Sequence, residues 1–140
     1  FSNSFVGLAH ALGHSLGGHF RIPHGRAVGL FLPYVMEFTA NGGAGRYGDL
    51  ARHLRLHDGG DEAAATAVLV SAIRDLARKV GQPLSLAEAG ISAEDFEASL
   101  PIIVPNAMMD NAVLAAPRPA EMEEYEKLYR YAFEGKNVDF

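Results

Sequence analysis

Apolar residues recur at helical spacing along almost the whole sequence, and the strict alternation typical of a half-buried strand is nearly absent. A chain of 140 residues is long enough to bury one hydrophobic core. There is no internal repeat and no low-complexity tract that would divide it. The spacing therefore predicts an all-α fold, with residues 1–140 forming a single multi-helical bundle of about five to seven helices.

Glycines and prolines set the expected helix ends. Gly17-Gly18 is expected to end the first helix, because glycine tolerates the left-handed geometry of a helix C-terminus. Pro23 is expected to open the second helix, and Pro33 inside that pattern predicts a kink or a break. Pro101 and Pro105 are likewise expected to limit or split a later helix.

The clearest amphipathic pattern begins at Asp61, a predicted N-cap, and ends at Gly81. Its apolar stripe is expected inside and consists of Ala64, Val68, Ala72, Leu76 and Val80. The basic residues expected outside are Arg74, Arg78 and Lys79. A capping box over residues 92–95 predicts another helix. A last helix is predicted over Glu121 to Phe133, with Met122, Tyr125, Leu128, Tyr129 and Ala132 facing inward.

Composition excludes several classes of function. A net charge of −5 without a basic cluster argues against nucleic acid or an anionic membrane as the main partner. Charges or glycines interrupt every apolar stretch, so no membrane-spanning helix is predicted. The absence of cysteine excludes disulfides, thiolate metal sites and a cysteine nucleophile, and it fits a cytoplasmic location.

Four of the six histidines lie between positions 10 and 24, namely His10, His14, His19 and His24. His10 and His14 are four residues apart and therefore share one face of a helix. A helix–turn–helix would fold His24 back towards His10, which is how histidines distant in sequence become ligands of one metal ion. The segment therefore predicts a metal site.

The alternatives to that prediction differ in strength. A histidine pair at this spacing is by itself weak support for metal binding, because such pairs are common on ordinary helix surfaces. The neighbouring residues are small or apolar, and the glycines Gly7, Gly13, Gly17 and Gly18 indicate close approach of another backbone or a ligand. A zinc protease is excluded because Ala11 follows His10 where a glutamate base is required. His53 and His57 are interpreted as a solvated helix face.

Three segments together resemble the iron-containing (group III) alcohol dehydrogenases: residues 7–18, Ile22-Pro23-His24-Gly25 and Leu32-Pro33-Tyr34-Val35-Met36. The C-terminal part is also similar to that family, through Met109-Asp110-Asn111, Pro117-Arg118-Pro119 and Tyr131-Ala132-Phe133. The resemblance covers nearly the whole chain. It is strongest over residues 5–38 and 108–135.

The resemblance implies a two-domain enzyme of the dehydroquinate synthase-like fold. In such an enzyme an N-terminal Rossmann-like half binds NAD or NADP, and a C-terminal helical half carries divalent iron or zinc. Residues 1–140 would then be the C-terminal part, without the nucleotide-binding half. The implied reaction is hydride transfer between a small alcohol or aldehyde and the nicotinamide, with the metal polarising the substrate oxygen. The family also implies a homo-oligomer.

The family holds its metal with one aspartate and three histidines. His10 and His24 match two of those histidines, whereas nothing in this sequence matches the aspartate or the third histidine. His14 matches the neighbour that lies beside the metal and the nicotinamide, which implies a catalytic and cofactor-binding role. Ala112 and Ala116 stand where the family usually has a cysteine and an asparagine, so the substrate class stays open.

With two implied ligands, the 140-residue chain is expected to bind metal weakly or not at all, and to show no dehydrogenase turnover by itself. The alternative function is a stand-alone helical module for assembly or partner binding, derived from such an enzyme and without catalysis. The choices between NAD and NADP and between iron and zinc stay open.

Overall fold

The computed structural model describes residues 3–140, which form six α-helices and one short 3₁₀ helix, with no strand among them. The helices are α1 (Leu8–Phe20), α2 (His24–Asn41), α3 (Tyr47–His53), α4 (Glu62–Lys79), α5 (Ala93–Met108), the 3₁₀ helix (Asn111–Ala115) and α6 (Met122–Glu134). The predicted all-α fold class is confirmed. In residues 3–140 no helix has both the length and the apolar character needed to cross a membrane.

The helices enclose two groups of buried apolar side chains. The larger core lies between α1, α2, α5 and α6, and its most buried members include Leu12, Phe31, Ile103 and Tyr129. The smaller core joins α2 to α3 and α4 through Met36, Ala51, Ala65, Leu69 and Val70. Because α1 contacts α2, α5 and the 3₁₀ helix, the histidine segment rests directly on the larger core.

Helices α1 and α5 continue through residues that were expected to end or split them, and α2 continues across Pro33, where a kink or a break was expected. Helix α1 passes through Gly17-Gly18 and ends at Phe20, and its C-cap Arg21 has a left-handed backbone (φ 56°). Helix α2 is continuous across Pro33, and α5 is continuous across Pro101 and Pro105. The two prolines of α5 are exposed and four residues apart. The carbonyls that lose an N–H partner therefore lie on the solvent side of the helix, where water can satisfy them.

The apolar stripe predicted for the core side of α4 faces solvent instead. Leu76 is 60% exposed and Val80 is 70% exposed, whereas the buried residues of this helix are Ala65, Thr66, Leu69 and Val70. Successive positions four residues apart turn by about 40° around a helix, so a stripe built only of such steps winds away from any flat core. Arg74, predicted outside, is mostly buried in an ion pair with Glu37.

The predicted helix caps and the inward face of the last helix agree with the structure. The Asp61 side chain accepts a hydrogen bond from the Ala64 N–H, and the Ser92 side chain accepts one from the Asp95 N–H. In α6, Tyr125, Leu128, Tyr129 and Ala132 are buried as predicted. Met122, the first residue of that helix, was expected inside but is 61% exposed.

Candidate functional site

The candidate site is built on a close crossing of α1 and α2 at Gly13. A Cβ added to Gly13 would lie 2.8 Å from Val28 Cγ2 and 2.9 Å from the Val28 backbone nitrogen and Cα. Only glycine allows this approach. The backbone approach inferred from the glycines is therefore confirmed at Gly13, and a Cβ on Gly17 would likewise be tight, 3.1 Å from the Ile22 carbonyl oxygen. Gly18 has open space around it, so close packing does not explain that residue.

Helix α1 is held on the core by two hydrogen bonds that it shares with neighbouring helices. The Tyr129 hydroxyl of α6 donates to the Leu12 carbonyl over 3.0 Å. The Ser15 hydroxyl of α1 donates to the Ile103 carbonyl of α5 over 2.8 Å. These bonds restrain the rotation of α1 about its axis, which leaves His14 exposed and His10 half-buried at the surface.

The turn after α1 brings a third histidine to that face. Arg21 adopts the left-handed conformation, and the Ile22 N–H bonds to the Gly17 carbonyl over 3.1 Å. Pro23 then caps α2, so that His24 is the first residue of the helix. The predicted return of His24 towards His10 is confirmed.

Three imidazole rings meet at this turn. The ring centroids of His10 and His14 are 5.5 Å apart, those of His10 and His24 are 5.5 Å apart, and those of His14 and His24 are 5.2 Å apart. His10 is half-buried, and the other two rings are more exposed. The three side chains form one surface cluster, which we call the histidine triangle.

Asp110 joins the triangle from the far end of the sequence. Its Oδ2 lies 2.8 Å from His14 Nδ1, and its Oδ1 accepts a 2.8 Å hydrogen bond from the Ala112 N–H at the start of the 3₁₀ helix. In the sequence, Asp110 stands out only as part of the Met109-Asp110-Asn111 motif, and no site role was expected for it. The local sequence indicates at most that Asp110 could cap the helix that begins after it. It does not indicate that Asp110 reaches His14.

The surroundings of His10 favour the neutral form of its ring. Burial, followed by repulsion from His14 and His24, lowers the pKa of His10 below its usual 6.5, against an opposing attraction from Asp110. Burial would raise the pKa of the Asp110 carboxyl, but hydrogen bonds from the Ala112 N–H and from His14 outweigh it and hold that pKa low. Near neutral pH, His10 is therefore an uncharged nitrogen donor beside an ionised carboxylate.

The donor chemistry fits a divalent metal as part of a larger ligand set. Neutral imidazole is a preferred ligand of iron and zinc. However, no three His, Asp or Glu side chains of residues 3–140 are arranged so that they alone could hold a metal ion. The structure thus gathers imidazoles without completing a coordination shell.

The remaining histidines and the two alanines lie outside the triangle. His19 is exposed near the end of α1 and packs edge-on against Phe20, with the ring centroids 4.7 Å apart. His53 is the exposed last residue of α3, but His57 lies beyond that helix and is half-buried, so these two histidines do not share a solvated helix face. Ala112 is buried, and Ala116 lines an apolar cavity of about 280 Å³ together with Leu8, Met108, Val113, Leu114, Pro119, Ala120 and Tyr125.

Comparison with known proteins gives one consistent family. The sequence model described as Fe-containing alcohol dehydrogenase family, C-terminal, matches residues 1–133. The chain is 31% identical over 140 residues to the NADPH-dependent butanol dehydrogenase of Clostridium saccharobutylicum, covering 100% of this chain and 36% of that protein. It is 34% identical over 134 residues to the lactaldehyde reductase of Escherichia coli K12, covering 95% of this chain and 34% of that protein.

Solved structures agree with these sequence matches. The structure of a 1,3-propanediol oxidoreductase superposes with a TM-score of 0.80 at 27% identity, covering 91% of this chain and 32% of that one. An iron-containing alcohol dehydrogenase from Thermococcus thioreducens superposes with a TM-score of 0.78 at 28% identity, covering 93% and 32%. The chain thus spans about a third of the length of the relatives it matches.

Proposed function

The chain belongs to the Fe-containing alcohol dehydrogenase family and corresponds to its C-terminal domain, and from that membership we propose that it supplies the metal side of an active site for NAD(P)-dependent alcohol oxidation or aldehyde reduction. The nucleotide side of that site would lie outside these 140 residues. Small alcohols or aldehydes are the proposed substrates, because the matched relatives are named for butanol and lactaldehyde.

The histidine triangle is the observation that carries this proposal. His10 and His24 are assigned as metal ligands, since they come from two facing helices and their rings approach to 5.5 Å. The low pKa of His10 keeps its ring uncharged near neutral pH, which is the form that binds metal. An aspartate and a further histidine from outside the described residues would complete the ligand set.

A divalent iron or zinc ion bound there would act as a Lewis acid on the substrate oxygen. The contribution of this chain is to present the two imidazoles from the close crossing of α1 and α2. His14 lies beside both of them and is 39% exposed, so it is accessible to a substrate or a nicotinamide that approaches from solvent. We assign to His14 contact with the nicotinamide and uptake or release of the substrate proton.

A chimaera tests the proposal. Residues 1–140 would replace the matching third of the butanol dehydrogenase of Clostridium saccharobutylicum, and bound metal and NADPH oxidation with butyraldehyde would be measured. We expect metal-dependent turnover. His10→Ala and His24→Ala should remove bound metal, whereas His14→Ala should keep the metal and lower kcat. His53→Ala is the matched control and should change neither quantity.

The same chimaera separates the enzyme from a module without catalysis. A folded chimaera that holds metal in the wild type and in His10→Ala alike would refute the ligand assignment. If the chimaera is folded but shows no turnover, either with His14 or with alanine in its place, the assembly or partner-binding module is favoured. Circular dichroism and thermal unfolding establish in each case that the grafted helices are folded.

A further inference from the structure

The carboxylate of Asp110 is positioned to decide which nitrogen of His14 carries hydrogen. An ionised carboxylate can only accept hydrogen bonds, so at 2.8 Å from Asp110 Oδ2 the Nδ1 atom of His14 must be the donor. A neutral imidazole has one N–H. With Nδ1 protonated, Nε2 keeps a free lone pair.

We propose that Asp110 is a positioning residue that holds His14 as the Nδ1–H tautomer and so leaves Nε2 as the proton-accepting atom of that ring. This inference rests on the proposed function, because it concerns how His14 acts there. Asp110 itself touches no reacting group in this assignment and acts only through the ring.

Asp110 is itself fixed, which makes it suited to that task. Its Oδ1 accepts from the Ala112 N–H over 2.8 Å and so caps the 3₁₀ helix, while Oδ2 is directed to His14. The two oxygens have separate partners. The Asp110 side chain is 22% exposed, and the backbone hydrogen bond restrains its rotation. The carboxylate is therefore oriented before any ligand arrives.

The pair also determines where a proton goes. When Nε2 takes the proton of a substrate hydroxyl, the ring becomes an imidazolium that keeps its Nδ1–H bond to the carboxylate, and Asp110 stays ionised. In the reverse direction the same Nε2–H returns its proton. A ring with the opposite tautomer would present an N–H at Nε2 and would have no lone pair there to begin this transfer.

The tautomer can be read directly in the metal-free 140-residue chain. Long-range ¹H–¹⁵N correlation spectra of ¹⁵N-histidine-labelled protein, recorded at about pH 8 where ordinary imidazoles are neutral, distinguish the protonated from the unprotonated ring nitrogen. We expect Nδ1–H for His14. A wild-type spectrum showing Nε2–H would overturn the proposal.

Asp110→Asn is the decisive variant. Its amide oxygen can still accept from the Ala112 N–H and preserve the cap, while its NH₂ group faces His14 Nδ1 and can only donate to it. His14 should therefore switch to the Nε2–H tautomer, with the His53 signals unchanged as an internal control. An unchanged His14 tautomer in this variant contradicts the assignment. Asn111→Ala, which alters the exposed next residue, should leave the His14 tautomer as it is.

Failure of this inference can be told apart from failure of the proposed function. In the chimaera, Asp110→Asn should lower kcat by about tenfold or more with the metal content unchanged. A switched tautomer with an unchanged kcat would refute the role of Asp110 in the reaction. Retention of metal by His10→Ala would instead refute the metal assignment and leave the tautomer result intact.

Discussion

Gly13 of α1 faces Val28 of α2 so closely that a Cβ on the glycine would lie 2.8 Å from Val28 Cγ2 and 2.9 Å from the Val28 backbone. The contact sets the separation of the two helices that carry His10, His14 and His24. The side-chain end of Val28 can rotate, but its backbone can yield only if α2 moves.

Gly13→Ala is therefore expected to lower the free energy of unfolding by about 1–3 kcal/mol, as overpacking does in other cores. Gly18→Ala is the matched control in the same helix. It has open space and an ordinary backbone, so it should stabilise the chain by up to about 1 kcal/mol through helix propensity. Urea unfolding followed by circular dichroism measures both, and equal stability of the two variants would contradict the close contact.

Leu69 and Leu76 provide a direct test of which face of α4 is buried. Leu69 is 3% exposed and Leu76 is 60% exposed. Leu69→Ala should cost about 2–5 kcal/mol because it opens a cavity in the smaller core. Leu76→Ala should change stability by less than about 0.5 kcal/mol. If Leu76→Ala is the more damaging substitution in urea unfolding, the helix is rotated relative to this structure.

The buried hydroxyl of Tyr34 is expected to make the folded protein less stable in alkali. Burial raises the pKa of its hydroxyl from 10.0 to about 12, and the hydroxyl donates to the Leu84 carbonyl. The folded state thus holds this proton more tightly than the unfolded state. The stabilisation is complete below about pH 10 and is lost as the pH rises through about 12, by up to about 2–3 kcal/mol.

The control for this pH dependence is Tyr34→Phe. It should cost about 1–2 kcal/mol at neutral pH, because the Leu84 carbonyl loses its donor. It should also make the decline of unfolding free energy above about pH 10 shallower. Part of the decline should persist, because burial also raises the pKa of Tyr129. If the unfolding free energy of Tyr34→Phe falls with pH as steeply as that of the wild type, the pKa of Tyr34 does not differ between the folded and unfolded states.

The ion pair of Arg74 with Glu37 ties α4 to α2. The guanidinium donates to both carboxylate oxygens, over 2.6 and 3.0 Å, and each side chain is 15% exposed. Glu37 Oε2 also accepts from the Val138 N–H over 2.9 Å. Arg74→Met leaves that carboxylate shielded from water without its cation and should cost about 1–3 kcal/mol.

Arg78→Met is the comparison for that substitution. Arg78 is in the same helix but makes an exposed pair with Asp75 at 3.2 Å. Exposed pairs of this kind contribute little, so the change in thermal stability should correspond to less than about 0.5 kcal/mol. Equal effects of the two substitutions would mean that the Arg74 pair is solvated in solution.

The helical elements were largely predictable because the interactions that form them are local. Residues three and four apart determine the helical spacing, and the caps at Asp61 and Ser92 act within a single turn. The same locality places His10 and His14 on one face of α1. The limit or split predicted at Pro101 and Pro105 was wrong because a local rule does not include the tertiary packing that keeps α5 continuous.

Tertiary structure alone decided which surfaces meet. Several faces of α4 are apolar enough to pack, and contacts with α2 and α3 select the one that carries Leu69. Asp110 reaches His14 across 96 positions of sequence, and no periodicity relates two such residues. The sequence determined the helices and identified all three imidazoles of the histidine triangle, because helical spacing and the turn after α1 depend on residues close together in the chain. The buried face of α4 and the partner of His14 depend on how the helices pack, because contacts between distant segments form only when the chain is folded.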